Sequence, residues 1–144
     1  MTPIVLDTGI LVKVFVHEED SWRATRLLQA AAEGTYRLVA PDFMAVEISN
    51  FLWKLVHRTL LREAEARQAL AEFPFDRIEW LSARVLLADA FGIAIEHEVA
   101  VYDAAFLAAA ASLGVDFVTA DKGLHQKVAS RLPWVRLLRD LEGL

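Results

Sequence analysis

Cysteine is missing altogether from this chain of 144 residues. That excludes disulfides, thiolate zinc sites and a cysteine nucleophile, and leaves oxygen or histidine to hold any metal. Glycine is sparse, at six residues, and there is no glycine-rich phosphate loop, since Gly9 stands alone. No apolar run approaches the roughly 20 residues of a membrane span. Met1-Thr2-Pro3 leads straight into a strand pattern without a basic leader, so a cytoplasmic protein that contacts no membrane is expected. Net positive charge is lacking too: 15 Lys and Arg face 20 Asp and Glu, giving −5. Taken alone, this argues against a nucleic-acid partner, because phosphate binding ordinarily needs a positive surface. The objection weakens because four carboxylates with a special placement carry most of that charge.

What is present is apolar. A hydrophobic content of 56% can supply a substantial core, and with no internal repeat, low-complexity tract or linker, one domain over residues 1–144 is expected. Pro3-Ile4-Val5-Leu6-Asp7 reads as a buried strand running into a turn or helix start. A surface helix follows from Asp20 to Glu33, stopped by Gly34, and then a strand over Arg37–Ala40. Pro41-Asp42 opens a helix reaching about His57. After a break near Thr59, Arg62 to Phe73 forms its hairpin partner, which Pro74 ends. Arg77–Leu81 is a third strand, and Ser82 caps a helix reaching Gly92. An alanine-rich helix over Val99–Leu113, a strand over Asp116–Thr119, a short helix over Lys122–Arg131 and a strand over Trp134–Leu137 complete the chain. Alternating strands and helices with short connections predict an α/β fold: a five-stranded parallel sheet with helices on both faces.

Open sheets of this kind bind ligands beyond the carboxyl ends of their strands, where the strand order reverses. Asp7 and Asp121 follow the first and fourth strands. Glu47 falls on the second turn of the helix after strand two, where it heads a polar stripe of Asn50, Lys54 and Arg58 along an otherwise apolar segment. Asp103 is the only charged side chain between Val99 and Ala111. All four are directed to one rim, whereas Asp116 opens its strand and belongs at the opposite edge. Each also has a plain structural use: Asp7 and Asp121 as helix caps, Asp103 as a partner of the helix dipole, Glu47 as solvated surface.

Clustered carboxylates repel one another and desolvate at a cost that a divalent cation relieves. Mg²⁺ or Mn²⁺ suits hard oxygen ligands, and such ions support phosphodiester hydrolysis by activated water. Thr8 and Thr119 flank the acids and are candidates to orient a carboxylate, a water or a phosphate. Asn50 is a candidate partner for Glu47 or a ligand. Lys13, Lys54, Arg58, Arg62, Lys122 and Lys127 form a possible phosphate-contacting border. His17-Glu18-Glu19-Asp20-Ser21 lacks the second histidine of a zinc-protease motif, and Glu96-His97-Glu98 reads as an exposed loop. His57 and His125 read as isolated surface residues.

The order Leu6-Asp7-Thr8, Glu47 in a helix, Val101-Tyr102-Asp103-Ala104-Ala105, then Thr119-Ala120-Asp121 resembles the PIN-domain ribonucleases, and most of all the compact VapC-type toxins of toxin–antitoxin pairs. The resemblance implies a Mg²⁺- or Mn²⁺-dependent endoribonuclease in which Asp7, Glu47, Asp103 and Asp121 match the family's acidic quartet and Thr119 its hydroxyl residue. It further implies a homodimer restrained by a cognate antitoxin. Phe51, Trp53 and Leu55 could serve either contact, with core packing as their default. Two alternatives are a haloacid-dehalogenase-type phosphohydrolase, which needs Asp-x-Asp where this chain has Gly9, and a non-catalytic binding module with an acidic rim.

Overall fold

The computed structural model describes residues 1–143. Five strands, β1 (Thr2–Leu6), β2 (Tyr36–Pro41), β3 (Ile78–Leu81), β4 (Phe117–Thr119) and β5 (Val135–Leu137), form one sheet in the order β3-β2-β1-β4-β5, every pair parallel. Ile4, Val5 and Leu6 are buried in succession, as are Leu38, Val39 and Ala40. Side chains alternate across a strand, so consecutive burial means that both faces are covered. Strand order reverses between β1 and β4, which puts the ligand-binding edge at the carboxyl ends of those two strands.

Seven helices connect and cover the strands: α1 (Thr8–Leu11), α2 (Ser21–Ala32), α3 (Met44–His57), α4 (Glu63–Glu72), α5 (Ala83–His97), α6 (Val101–Leu113) and α7 (Lys122–Val128). None is long and apolar enough to cross a membrane among the described residues. Helix α6 is the central one. Its residues Ala104 to Ala110 are all buried, and five of the seven are alanines, which add only a methyl to the backbone. This lets the helix lie close against β1 and β2. Phe106 packs between Phe43 (5.5 Å, edge-on) and Phe117 (6.0 Å), and Phe43 also meets Tyr102 edge-on at 6.0 Å. These rings tie the N-cap of α3 to the first turns of α6 and to β4.

The helix ends follow local chemistry. Gly34, at φ +86°, closes α2 while Thr35 N–H donates to the Ala30 carbonyl. At Thr59, φ 58° bends the chain between α3 and α4 without a glycine. Three expectations fail here. Helix α5 does not stop at Gly92 but continues to His97, because one mid-helix glycine costs only about 1 kcal/mol and the apolar Ile93 and Ala94 pack against the core beyond it. Glu96-His97-Glu98 is therefore no exposed loop: His97 is buried, Glu96 pairs with Arg131 at 2.7 Å, and Glu98 ends the helix at φ 55°. Trp53 does not join the core either. It stands 58% exposed on α3, while Leu55 is buried and Phe51 half-buried against Phe15.

Candidate functional site

The pairing of β1 with β4 builds the centre of the site. Val5 faces Phe117 and Leu6 faces Val118 in register, so the next residues out, Asp7 and Thr119, are neighbours where the strands end. Asp7 N–H donates to the Val118 carbonyl at 2.9 Å. The Thr119 hydroxyl, wholly buried, donates to Asp7 Oδ2 at 2.7 Å and accepts the Asp121 N–H at 3.0 Å. One hydroxyl thus orients the first acid and fixes the loop that carries the last. Asp7 stands at the cap position of α1, yet its side chain closes no capping hydrogen bond; the Gly9 N–H only leans towards it. Asp121 does cap α7, accepting Leu124 N–H at 3.0 Å through Oδ1. Its structural use is real and engages one oxygen.

Glu47, on the first turn of α3, is half-buried and accepts the Thr8 hydroxyl at 2.8 Å. Asp103, on the first turn of α6, is half-buried as well. Asp7 is driven up to about 6, chiefly by burial; the Thr119 bond opposes this, while Asp103 and Glu47 add repulsion. Burial also raises Glu47, against the Thr8 bond and with help from Asp103. Burial and then Asp121 raise Asp103, with Lys127 opposing. Asp103 is the common term: its charge is felt at Asp7 and Glu47, and it feels that of Asp121 in turn. The four acids therefore form one electrostatic group, with Lys127 beside Asp103 and Lys54 on the hollow next to Glu47.

Two hollows open onto this group. One, of about 350 Å³, is bordered by Asp103, Asp121, Gly123 and Lys127. The other, of about 220 Å³, is bordered by Thr8, Gly9, Glu47, Asn50 and Lys54. Among the described residues, no three acidic or histidine side chains close round a shared point as a ready-made metal cage. Asn50 is exposed and, among the described residues, makes no bond to Glu47; Thr8 holds that place instead. Of the proposed basic border, Lys13 pairs with Glu18 and Arg62 with Glu65, and Lys127 donates to the Glu98 carbonyl. Lys54, Arg58 and Lys122 have no carboxylate partner among the described residues. Asp116 sits at the opposite sheet edge, paired with Arg136 at 3.5 Å, beside a larger hollow of about 790 Å³.

Replacing Thr119 by valine removes a donor from Asp7 and an acceptor from the Asp121 amide. The Asp7 titration, followed by carboxyl-carbon NMR, should move further up, and stability should fall by about 1–2 kcal/mol in urea titrations. An unmoved Asp7 titration would mean that the hydroxyl does not hold its charge.

The sequence matches the family model of the PIN domain over residues 4–130. It is 38% identical over 126 residues to Ribonuclease VapC3 of Pyrobaculum aerophilum, an alignment covering 86% of this chain and 93% of that protein. The fold is similar to FitAcB from Neisseria gonorrhoeae (TM-score 0.63, 16% identity, 96% of this chain and 99% of that one). It is also similar to VapBC2 from Rickettsia felis, solved with a DNA fragment from its promoter (TM-score 0.61, 15% identity, 94% and 97%). Sequence and architecture agree, and the chain belongs to the VapC-like branch of the PIN-domain family.

Proposed function

We propose that this chain is a Mg²⁺- or Mn²⁺-dependent endoribonuclease acting as the toxin of a toxin–antitoxin pair. The observation that carries the reading is the group of Asp7, Glu47, Asp103 and Asp121 at the strand-order reversal, three of them raised by burial and mutual repulsion despite the opposing Thr119, Thr8 and Lys127 contacts. The donor set fits the ion. All ligands are hard carboxylate oxygens, and Mg²⁺ keeps several waters and needs only one or two direct carboxylates, so the lack of a closed cage is no obstacle. Asp7, Glu47, Asp103 and Asp121 are the residues that would hold it. When bound, such an ion supplies neutralising charge for a phosphate and lowers the pKa of water.

The chain's own groups do the positioning. Thr119 and Thr8 fix the carboxylates of Asp7 and Glu47, so their orientation is set before substrate arrives. Asp7, near 6, is largely ionised at neutral pH and ready to accept a cation or a proton. The ribonuclease name belongs to the 38% identical relative, and the antitoxin partner to fold neighbours such as the toxin–antitoxin complex from Klebsiella pneumoniae. For this chain, a cognate antitoxin and a second copy are proposed as partners. Val85, Phe91 and Ile95, each more than 60% exposed on one face of α5, offer an apolar surface to such a partner chain.

The test is cleavage of a labelled oligoribonucleotide by purified protein. Cutting should appear with Mn²⁺ or Mg²⁺, stop on chelation and be absent from Asp103→Asn. A well-folded wild type that leaves RNA intact with either ion present would end the reading.

A further inference from the structure

Helix α3 leaves the acidic site with an unusual outer surface. Glu47, Lys54 and Arg58 lie in one row along it, and Val46, Trp53 and His57 lie in a neighbouring row, with Asn50 between them. Trp53 and His57 are stacked one turn apart, ring centroids 5.0 Å and planes 8° from parallel. Both residues are exposed, Trp53 by 58%. Burial does not explain so large a ring on the outside, since Leu55 and Leu52 already supply the core contacts of this part of the helix. Beside the pair, Lys54 and Arg58 have no carboxylate partner among the described residues, in a protein whose net charge is −5. Lys54 also borders the hollow that Glu47 and Thr8 line, so the basic row is continuous with the acidic site.

We infer that the Trp53–His57 stack is a platform for an unpaired base of single-stranded RNA, with Lys54 and Arg58 holding the adjoining phosphates, and that it fixes how substrate is led into the acidic site. The inference rests on the ribonuclease reading and adds a binding element to it. The chemistry matches one occupant. Exposed aromatic faces flanked by cations are how single strands are held, because every base has a π-face and every linkage a negative charge. An apolar protein segment would use the ring but gain nothing from the two cations. At about 1.5 Å of rise per residue, Trp53 lies about 9 Å along the helix from Glu47 and His57 about 15 Å, so the stacked base would be a few nucleotides from the scissile bond. His57 props the indole, so the platform exists before RNA arrives.

The experiment uses full-length protein carrying Asp103→Asn, to prevent turnover, and a fluorescein-labelled single-stranded oligoribonucleotide of mixed sequence. Trp53→Ala should weaken binding about 5- to 100-fold, the span of one base–aromatic stack, while Trp53→Phe, which keeps a ring, should retain most of the affinity. His57→Ala should weaken it by less. RNA should quench the part of the tryptophan emission that Trp53→Phe removes, and thermal melting should show each variant folded. In the cleaving protein, Trp53→Ala should raise KM for long substrates and leave kcat nearly unchanged. Equal affinity for Trp53→Ala and its parent, or Trp53 emission indifferent to RNA, overturns the platform and leaves the ring to a protein partner. If the wild type never cuts RNA but Trp53-dependent binding persists, the nuclease reading falls and the platform stands. If it cuts RNA and Trp53→Ala binds as tightly as its parent, the platform falls and the nuclease reading stands.

Discussion

Asp7→Asn should lower the cleavage rate by about 10²- to 10³-fold, the scale of losing one pre-aligned electrostatic group, and should at the same time make the metal-free protein more stable. The second half follows from the sign of the Asp7 shift. Its folded value, about 6, lies above the ordinary 3.8, so the folded state binds a proton more tightly than the unfolded chain does. Asp7 therefore contributes fully below pH 3.8. That contribution is lost as pH rises towards 6, and above this the residue costs up to about 3 kcal/mol, at 1.36 kcal/mol per pH unit. Asparagine keeps the acceptor for the Thr119 hydroxyl and never ionises. In urea titrations with chelator at pH 7 the variant should gain about 1–3 kcal/mol over wild type, and the gap should close towards pH 4. A variant less stable than wild type at pH 7 would show that the Asp7 carboxylate is paired rather than stranded.

Divalent ions should reverse that order. Anything that binds only the folded state stabilises it by mass action, about 2.7 kcal/mol when the free ion is 100 times its Kd. For a domain of this length that corresponds to a Tm rise of roughly 5–10 °C. Wild type should show the rise with Mn²⁺ or Mg²⁺, and Asp7→Asn and Asp103→Asn should show little of it. At free ion near 1,000 times its Kd, where the gain of about 4 kcal/mol exceeds what the buried Asp7 charge costs, the wild type becomes the more stable protein. Protons compete for the same oxygens, so the rise should fade as pH falls through about 6, where Asp7 takes up its proton. A calorimetric scan at pH 7.5 and pH 5 checks both statements. An equal rise in Asp103→Asn would place the ion elsewhere on the molecule.

The sheet was legible because its strands are buried on both faces and so appear as unbroken apolar runs such as Ile4-Val5-Leu6. Asp103 was legible for the converse reason, as one charge in a helix whose next seven residues are all buried. Glu47 showed itself by breaking the apolar pattern of α3. What could not be read is which residues tertiary contacts cover. Helix α3 is apolar at most positions, so periodicity alone could not show that Trp53 faces outward while Leu52 and Leu55 face inward. Helix α5 is apolar on nearly every side, which hid both its continuation past Gly92 and the burial of His97. The sequence offered both Thr8 and Asn50 as partners for a carboxylate; that Thr8 is the one that meets Glu47 depends on how α1 turns after β1, and four residues of helix leave too short a pattern to read.

The 112-residue separation between Asp7 and its hydroxyl partner bears on how the molecule comes into being. Contacts this distant along the chain form late, because loop closure must be met before they give anything back. During synthesis β1 can pair with β2 early, but its other edge stays open until Phe117–Thr119 has left the ribosome. A nascent or prematurely terminated chain therefore carries Asp7 without Thr119 to aim it. The four acids come together in their aligned arrangement only after Phe117–Asp121 has been made.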